Sequence, residues 1–186
     1  MSNHFKIIVP FYNAEEWIKV CIRSVKFQDY EDFQCVLIDD ISTDSSAEIV
    51  EQEIAGDDRF VLVRNTEKAY ALKNIYDAIS LSEPQEEDVI VTLDGDDWLA
   101  NKDVLDKLNA AYLQSGCWLT YGSYAEYPNG VRGKFAKQIP SHVVHNNLYR
   151  DSEWCSSHLR TFKHHLWSRI KKEDLLDLDK RFYQCT

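Results

Sequence analysis

Three carboxylates are crowded into the segment Asp94-Gly95-Asp96-Asp97, which we call the acidic loop. It follows the strand-like run of residues 88–93. Like charges a few ångströms apart repel by about 1 kcal/mol or more, depending on the local dielectric, and a divalent cation bound to their oxygens removes that cost. The acidic loop therefore indicates a divalent cation site, and a cation that also held a diphosphate would stabilise a leaving nucleotide. A solvated acidic turn is the alternative, because Asp and Gly are common turn formers.

The segments before the acidic loop alternate between strand-like and helix-like patterns. Strands are predicted at residues 5–9, 33–38, 60–64 and 88–93, and helices between them at residues 14–25, around 49–54 and at 69–81. Such alternation is typical of an α/β fold, in which helices cover both faces of a mostly parallel sheet through right-handed crossovers.

Ligands of such folds bind beyond the carboxyl ends of the strands. Three clusters follow predicted strands here: Pro10-Phe11-Tyr12-Asn13, which we call the aromatic loop, the pair Asp39-Asp40, and the acidic loop. Because parallel strands end at the same edge of a sheet, we expect these clusters to lie together on one rim. Scattered surface charge would have no reason to occupy three strand ends, so the pattern favours a binding site.

The chain after Asn101 has weaker patterns. Residues 102–115 carry apolar side chains at helical spacing before Gly116, which predicts a helix. Residues 118–127 and 131–135 flank the turn signal Pro128-Asn129-Gly130, which is compatible with a hairpin or a sheet extension. Residues 141–163 show little apolar periodicity, which favours a long loop over the site. No linker is visible, so the sequence predicts one domain over residues 1–186.

Composition narrows the class of protein. The formal net charge of -10 argues against a nucleic-acid partner, since such binding relies on Lys and Arg. No run reaches the roughly 20 apolar residues that a transmembrane helix needs, and the N-terminus lacks a signal-peptide pattern. We therefore expect a cytoplasmic protein, with membrane-peripheral attachment through other regions as the alternative. The 5 cysteines are widely spread without a Cys-x-x-Cys pair, so neither a disulfide framework nor a zinc site is indicated.

Three motifs together resemble those of a known enzyme family. They are Ile8-Val9-Pro10-Phe11-Tyr12-Asn13, residues 37–44 and Thr92-Leu93-Asp94-Gly95-Asp96-Asp97, in the family's order and spacing over about residues 5–115. The chain resembles the family-two inverting glycosyltransferases of the GT-A fold. The resemblance implies metal-dependent transfer of a sugar from a nucleotide-sugar, foremost a UDP-sugar, to a hydroxyl of a glycan, lipid-linked or protein acceptor. It implies Mn²⁺ or Mg²⁺ as cofactor.

By position, the resemblance assigns the nucleotide to the first two motifs. It places Tyr12 where the family stacks an aromatic ring on the base, with Pro10, Phe11 and Asn13 beside it, and Asp40 where the uracil imide is bound. Lys73 lies before an Asn, where the family usually has Arg or Lys near the nucleotide. A Lys there lacks the planar fork of Arg.

The third motif is assigned to the ribose and the metal. The resemblance places Asp94, beside Gly95, near the ribose, and Asp96 on the cation at the diphosphate, with Asp97 as a further candidate ligand. His158 lies in a segment that lines the donor or acceptor pocket in the family, so it is another candidate ligand. A solvated His is the alternative.

Inversion also needs a general base that takes the proton of the acceptor hydroxyl. In the family this base lies well downstream, and the nearest candidates here are in a charge-alternating stretch that is typical of an exposed surface: Glu173, Asp174, Asp177 and Asp179. We therefore expect the base beyond Thr186, a domain truncated at its C-terminus, and a chain that binds the donor but transfers sugar poorly.

Two other functions stay open at this point. One is a nucleotide-binding fragment without transferase activity. The other is a phosphatase with an aspartyl nucleophile, since Asp94-Gly95-Asp96 also resembles its Asp-x-Asp, although that motif belongs on a first strand and here follows the fourth. Trp98 and Trp154 are candidates for contact with a sugar ring, whereas Trp17 lies on the apolar stripe of a predicted helix and is expected in the core.

Overall fold

A computed structural model of the chain describes residues 2–135 and 137–184. The strands are β1 Phe5–Phe11, β2 Phe33–Asp39, β3 Phe60–Arg64, β4 Val89–Thr92, β5 Leu119–Gly122, β6 Ala125–Glu126, β7 Val131–Arg132 and β8 Ser157–Lys163. The α-helices are α1 Ile18–Lys26, α2 Ser46–Ile54, α3 Tyr70–Leu81, α4 Val104–Ser115, α5 Ser141–His145 and α6 His164–Trp167. A 3-10 helix follows at Lys172–Leu175.

Six strands form one sheet in the order β3-β2-β1-β4-β8-β5. β1 pairs in parallel with β2 and with β4, and β2 pairs in parallel with β3. β8 pairs antiparallel with both β4 and β5. The expectation of a mostly parallel α/β sheet is therefore confirmed, and β8 is the strand that departs from it.

Helices cover both faces of the sheet, as predicted. Successive residues of a strand point to opposite faces, so Ile7 packs with Ile18 of α1 and Leu105 of α4, whereas Ile8 packs with Ile79 of α3. All five of these side chains are buried. The central strand β1 is thus apolar on both faces, which is why it reads as a continuous apolar run.

The prediction of a long loop over residues 141–163 is wrong, because this segment contains α5 and β8. The buried positions of β8 include polar residues whose groups are paired, so the strand lacks apolar alternation. The Thr161 hydroxyl lies 2.7 Å from the Tyr112 hydroxyl and 2.7 Å from that of Thr120. The Lys163 ammonium donates to Asn3 Oδ1 at 2.7 Å.

Both alternatives for residues 118–135, a sheet extension and a hairpin, are present in part. β5 joins the main sheet, and the turn joins β6 and β7 as a separate two-stranded hairpin. The α4 helix ends at Ser115, and Gly116, its predicted stop, follows with a φ of 62°. In the described ranges, no helix is long and apolar enough to span a bilayer. Four cysteines are free thiols, and Cys185 lies outside the described residues: Cys21, Cys35, Cys117 and Cys155.

Candidate functional site

The ends of β1, β2 and β4 meet at one rim of the sheet, as the sequence predicts. The Asp40 N–H donates to the Phe11 carbonyl at 2.9 Å, which joins the end of β2 to the end of β1. The Gly95 N–H donates to the Pro10 carbonyl at 3.2 Å, which joins the acidic loop to the aromatic loop. Backbone hydrogen bonds therefore hold all three sequence clusters together.

Gly95 allows the acidic loop to lie directly on the end of β1. A Cβ atom at this position would be 2.5 Å from Phe11 Cβ and 3.2 Å from the Pro10 carbonyl oxygen. These distances are shorter than an ordinary carbon contact of about 3.5–4.0 Å. A side chain on residue 95 would push the neighbouring carboxylates away from the rim, so close approach explains the glycine.

Asp94, Asp97 and His158 form a group that could hold a metal ion, which we call the ligand group. One ligand atom from each lies within 4.8 Å of the others. His158 Nδ1 is 2.7 Å from Asp97 Oδ2, and His158 Nε2 is 3.7 Å from Asp94 Oδ2. β8 supplies the histidine, so the strand that the sequence reading missed completes this group. Asp96 is outside the ligand group and exposed.

In the ligand group, the carboxylates of Asp94 and Asp97 lie close together beside the imidazole of His158. Burial raises the pKa of Asp94, and Asp97 and Asp96 raise it further, while His158 and Arg160 oppose the shift. The hydrogen bond to Asp97 raises the pKa of His158, against the effect of burial. A cation at this position would relieve the repulsion between the carboxylates.

Arg160 defines how His158 is oriented. Its Nη2 atom lies 3.0 Å from His158 Nε2, and a guanidinium can only donate, so Nε2 is the acceptor in this contact. The remaining ring proton is then on Nδ1 and is donated to Asp97. This contact favours the neutral tautomer with its proton on Nδ1, and Arg160 would have to leave Nε2 before the lone pair of that atom could bind a metal.

The donor set of the ligand group fits a hard divalent cation. Two carboxylates are the ligands that Mg²⁺ and Mn²⁺ prefer, and imidazole is a common ligand of transition metals. Burial is the main cause of the raised pKa of Asp94, and a cation bound there would favour its ionised form. The residues present therefore fit the cofactor that the sequence predicts.

Asp40 is buried, with 4% of its surface exposed, and its oxygens are occupied by its own chain. Oδ1 accepts from the Ala69 N–H at 2.7 Å and from Asn65 Nδ2 at 2.9 Å. Oδ2 accepts from the Tyr70 N–H at 2.9 Å. Burial opposes ionisation, yet these hydrogen bonds lower the pKa of Asp40 below its ordinary value. In this arrangement Asp40 fixes the loop before α3, and its predicted contact with uracil stays a prediction.

Lys68 links Asp40 to the aromatic loop, and sequence reasoning missed it. Its ammonium lies 3.4 Å from Asp40 Oδ2 and 2.9 Å from the centre of the Tyr12 ring, which is 50% exposed. Lys73 pairs with Asp77 one helical turn away, and its predicted contact with the nucleotide stays a prediction. No local sequence pattern distinguishes these two lysines. Their contacts differ because Lys68 lies in the loop before α3, whereas Lys73 lies within α3.

Two neighbouring cavities open at the rim. The smaller, of ≈ 360 Å³, is lined by the aromatic loop, by three residues of the acidic loop and by two residues before α1: Pro10, Phe11, Tyr12, Asn13, Ala14, Trp17, Asp94, Gly95 and Asp96. The larger, of ≈ 790 Å³, extends from the acidic loop and His158 to the β6–β7 hairpin. Asp96 and Trp17 line both cavities.

Residues 6–171 match the family model described as Glycosyl transferase family 2. The chain belongs to glycosyl transferase family 2. An uncharacterized glycosyltransferase of Haemophilus influenzae is 38% identical over 121 residues, which are 64% of this chain and 46% of that protein. This family 2 chain thus spans about half the length of the curated relative.

Solved structures show that the family 2 chain has the GT-A fold. Staphylococcus aureus TarS 1-349 in complex with UDP-GlcNAc has a TM-score of 0.66 at 21% identity, covering 89% of this chain and 46% of that one. Mannosyltransferase PcManGT from Pyrobaculum calidifontis, in complex with GDP-Man and Mn²⁺, has a TM-score of 0.63 at 20% identity, covering 91% and 47%.

An aromatic cluster of Trp17, Trp98 and Tyr127 lines the larger cavity of the family 2 chain. The ring centres of Trp17 and Trp98 are 5.9 Å apart and stacked, and Tyr127 meets Trp98 edge-on at 5.3 Å. Trp17 was expected in the core and instead lies between the two cavities. Trp154 is 58% exposed beneath the guanidinium of Arg160, at 5.9 Å.

The four acidic residues nearest the C-terminus do not line either cavity, as far as the described residues define them. They lie in and after the 3-10 helix, and Lys172 of that helix packs over Tyr76 of α3. Asp174 accepts from the Lys171 N–H, and Asp179 pairs with Arg181. Their contacts are those of an exposed, charge-paired surface.

Proposed function

We propose that this family 2 chain is the donor-binding part of a metal-dependent inverting glycosyltransferase that moves a sugar from a UDP-sugar to an acceptor hydroxyl. One observation carries the proposal. The ligand group Asp94, Asp97 and His158 lies at the same rim as the exposed ring of Tyr12. The rim could therefore hold the metal-bound diphosphate and the stacked base of one nucleotide at the same time.

The aromatic loop would bind the nucleotide base. Tyr12 offers a half-exposed ring, and Lys68 covers it in this structure, so the base would stack on Tyr12 while the ammonium moves toward a phosphate. Uridine is supported by the UDP-GlcNAc complex of TarS, and the GDP-Man complex of PcManGT makes guanosine the alternative.

The leaving diphosphate would be held at the ligand group. Asp94, Asp97 and His158 would bind Mn²⁺ or Mg²⁺, which when bound neutralises the charge that develops on the leaving nucleotide. Arg160, which contacts His158 Nε2 in this structure, would move from that atom when the cation binds and would leave a positive charge beside the diphosphate. Asp96, predicted from its position to bind this cation, is exposed at the junction of the two cavities and stays a candidate ligand for it.

Sugar transfer also requires that the acceptor hydroxyl lose its proton to a general base, and donor binding does not require this step. Among the described residues, neither cavity is lined by Glu173, Asp174, Asp177 or Asp179, so we expect the base to be another residue. The chain would then bind UDP-sugar with metal and transfer the sugar poorly by itself.

Titration of UDP by calorimetry tests the donor site. We expect binding in MnCl₂ that is lost in EDTA, and a loss of at least about tenfold in affinity for Asp97→Asn, because that change removes a ligand of the cation. Asp58→Asn is the matched control, since Asp58 is exposed in the turn before β3, away from the rim. Equal UDP affinity with and without metal would contradict the metal-dependent site.

Measurement of turnover tests the second part of the proposal, that this chain binds the donor but transfers the sugar poorly. UDP-glucose cleavage by this chain would be compared with that by a longer natural form of the protein. We expect the longer form to be faster, and equal rates would contradict the assignment of the base to another segment. Metal-dependent UDP binding without any turnover in either form would favour a nucleotide-binding protein without transferase activity.

A further inference from the structure

The larger cavity has one aromatic wall and one acidic wall. Trp98 and Tyr127 form the aromatic wall, and Tyr127 is 67% exposed, so its ring is available to a ligand. Asp96 and Asp97 form the acidic wall where the cavity meets the rim. The two walls offer apolar faces and hydrogen-bond acceptors to the same ligand.

The charge of this cavity selects against anions. The described lining residues include the carboxylates Asp96, Asp97 and Glu126 and contain neither Lys nor Arg. His158 is the lining residue that could carry a positive charge, and it already donates to Asp97. A phosphate or carboxylate on a ligand would therefore meet like charge without a compensating cation of the chain, except at the metal itself.

A sugar ring matches both walls. The axial C–H groups of a pyranose form an apolar face that packs on an aromatic ring, while its hydroxyls donate hydrogen bonds to carboxylates. Pockets with apolar walls and a few convergent polar groups are the usual form of small-molecule sites. The walls thus favour an uncharged carbohydrate over a lipid, which needs no acidic wall, and over a phosphorylated chain.

The far end of the larger cavity is separate from the aromatic loop. The hairpin residues Ala125, Glu126, Tyr127 and Pro128 line the larger cavity, and among the described residues the hairpin does not contribute to the smaller one. A ring stacked on Tyr127 would therefore be distant from the segment that holds the base. Asp96 and Trp17 lie at the junction, where two substrates would meet.

We infer that the Trp98–Tyr127 end of the larger cavity binds an uncharged pyranose of the acceptor glycan. The assignment of this sugar to the acceptor rests on the proposed function, whereas its lack of charge is inferred from the cavity walls alone. Glu126 is the carboxylate at this end, and with neither Lys nor Arg among the described lining residues it disfavours acidic or phosphorylated sugars there.

Saturation-transfer NMR and titration with disaccharides test this inference. The neutral probes are methyl β-cellobioside, methyl β-lactoside and N,N′-diacetylchitobiose, and the anionic probe is digalacturonate. We expect at least one neutral probe to bind, and digalacturonate to bind at least about tenfold more weakly than that probe.

Variants of one aromatic residue provide the internal control. Trp98→Ala should weaken binding of the neutral probe at least about tenfold, because it removes both buried area and the stacking surface, and Trp98→Phe should retain most of it. Thermal melts report that both variants are folded, because Trp98 follows the candidate ligand Asp97 and stacks on Trp17 of the smaller cavity, so UDP affinity is not an independent control. Trp118→Ala is the matched control, since Trp118 is 56% exposed against His165, away from the described cavity linings.

Several outcomes would overturn the inference. They are the failure of every neutral probe to bind a chain that binds UDP, equal probe affinity in Trp98→Ala, stronger binding of digalacturonate, and displacement of the probe by UDP-glucose but not by UDP. The last result would assign the cavity to the donor sugar. A chain that binds a neutral disaccharide but not UDP would contradict the proposed function and would still support the neutral-sugar site.

Discussion

Replacing Gly95 by Ala adds one methyl group at the point where the acidic loop lies on β1. The new Cβ would be 2.5 Å from Phe11 Cβ, a buried atom in the middle of the rim. An ordinary contact needs about 3.5–4.0 Å, so the loop or the strand must move by roughly 1 Å. The hydrogen bond from the Gly95 N–H to the Pro10 carbonyl, already 3.2 Å long, would lengthen with that movement.

The magnitude follows from the two ways in which the structure can respond. If the loop stays in place, the clash lowers the free energy of unfolding by about 1–3 kcal/mol, as overpacking does in other cores. If the loop moves away, stability is largely retained, but Asp94 and Asp97 shift relative to His158. A displacement of this size at a site can cost on the order of 100-fold in function.

Denaturant unfolding and calorimetric titration of UDP in MnCl₂ distinguish these responses in one preparation. Gly56→Ala is the control, because Gly56 has open space around its missing Cβ and a φ of 77°, so its cost is backbone strain remote from the rim. We expect Gly95→Ala to lose stability, UDP affinity or both, and Gly56→Ala to lose stability alone. A Gly95→Ala protein with wild-type stability and wild-type UDP affinity would refute the account of how the rim is packed.

Two further predictions concern buried polar groups. Asp40→Asn should lower the free energy of unfolding by roughly 2–4 kcal/mol, because an amide cannot accept all the bonds that the carboxylate accepts. Since the folded pKa of Asp40 is lowered, this difference should be complete above the unfolded pKa of about 3.9 and shrink as the pH falls toward the folded pKa, which denaturation at several pH values measures. Thr161→Val should cost about 1–3 kcal/mol, because the buried Tyr112 hydroxyl loses a partner at 2.7 Å, and thermal melts of Thr161→Ser, which keeps that partner, provide the comparison.

The first two thirds of the fold could be predicted because its strands and helices have regular apolar periods. β1 is apolar on both faces, and α1 presents buried residues at spacings of three and four. β8 could not be predicted in this way, because Thr161 and Lys163 are buried through hydrogen bonds with distant residues. The apolar period of a sequence indicates which residues are buried by apolar packing. It does not indicate a polar residue that is buried because a residue far along the chain forms a hydrogen bond with it.

The candidate site shows the same division. The acidic loop could be placed at a strand end from local sequence, and the structure groups Asp94 and Asp97 with His158. Lys68 and Arg160 carry no local signal, since their contacts with Tyr12 and His158 depend on where two loops and a strand meet. Trp17 follows the helical stripe that predicts burial, but it precedes the first residue of α1, so its ring reaches the cavities.

The position of β8 within the sheet has a consequence for biosynthesis. β4 ends at Thr92 and its neighbour β8 ends at Lys163, about 70 residues later. At ribosomal speeds of about 5–20 residues per second, the outer edge of β4 would wait roughly 4–14 s for its hydrogen-bonding partner. During that interval the nascent chain presents an apolar strand edge that other chains could join, so aggregation is a risk until β8 has been synthesised.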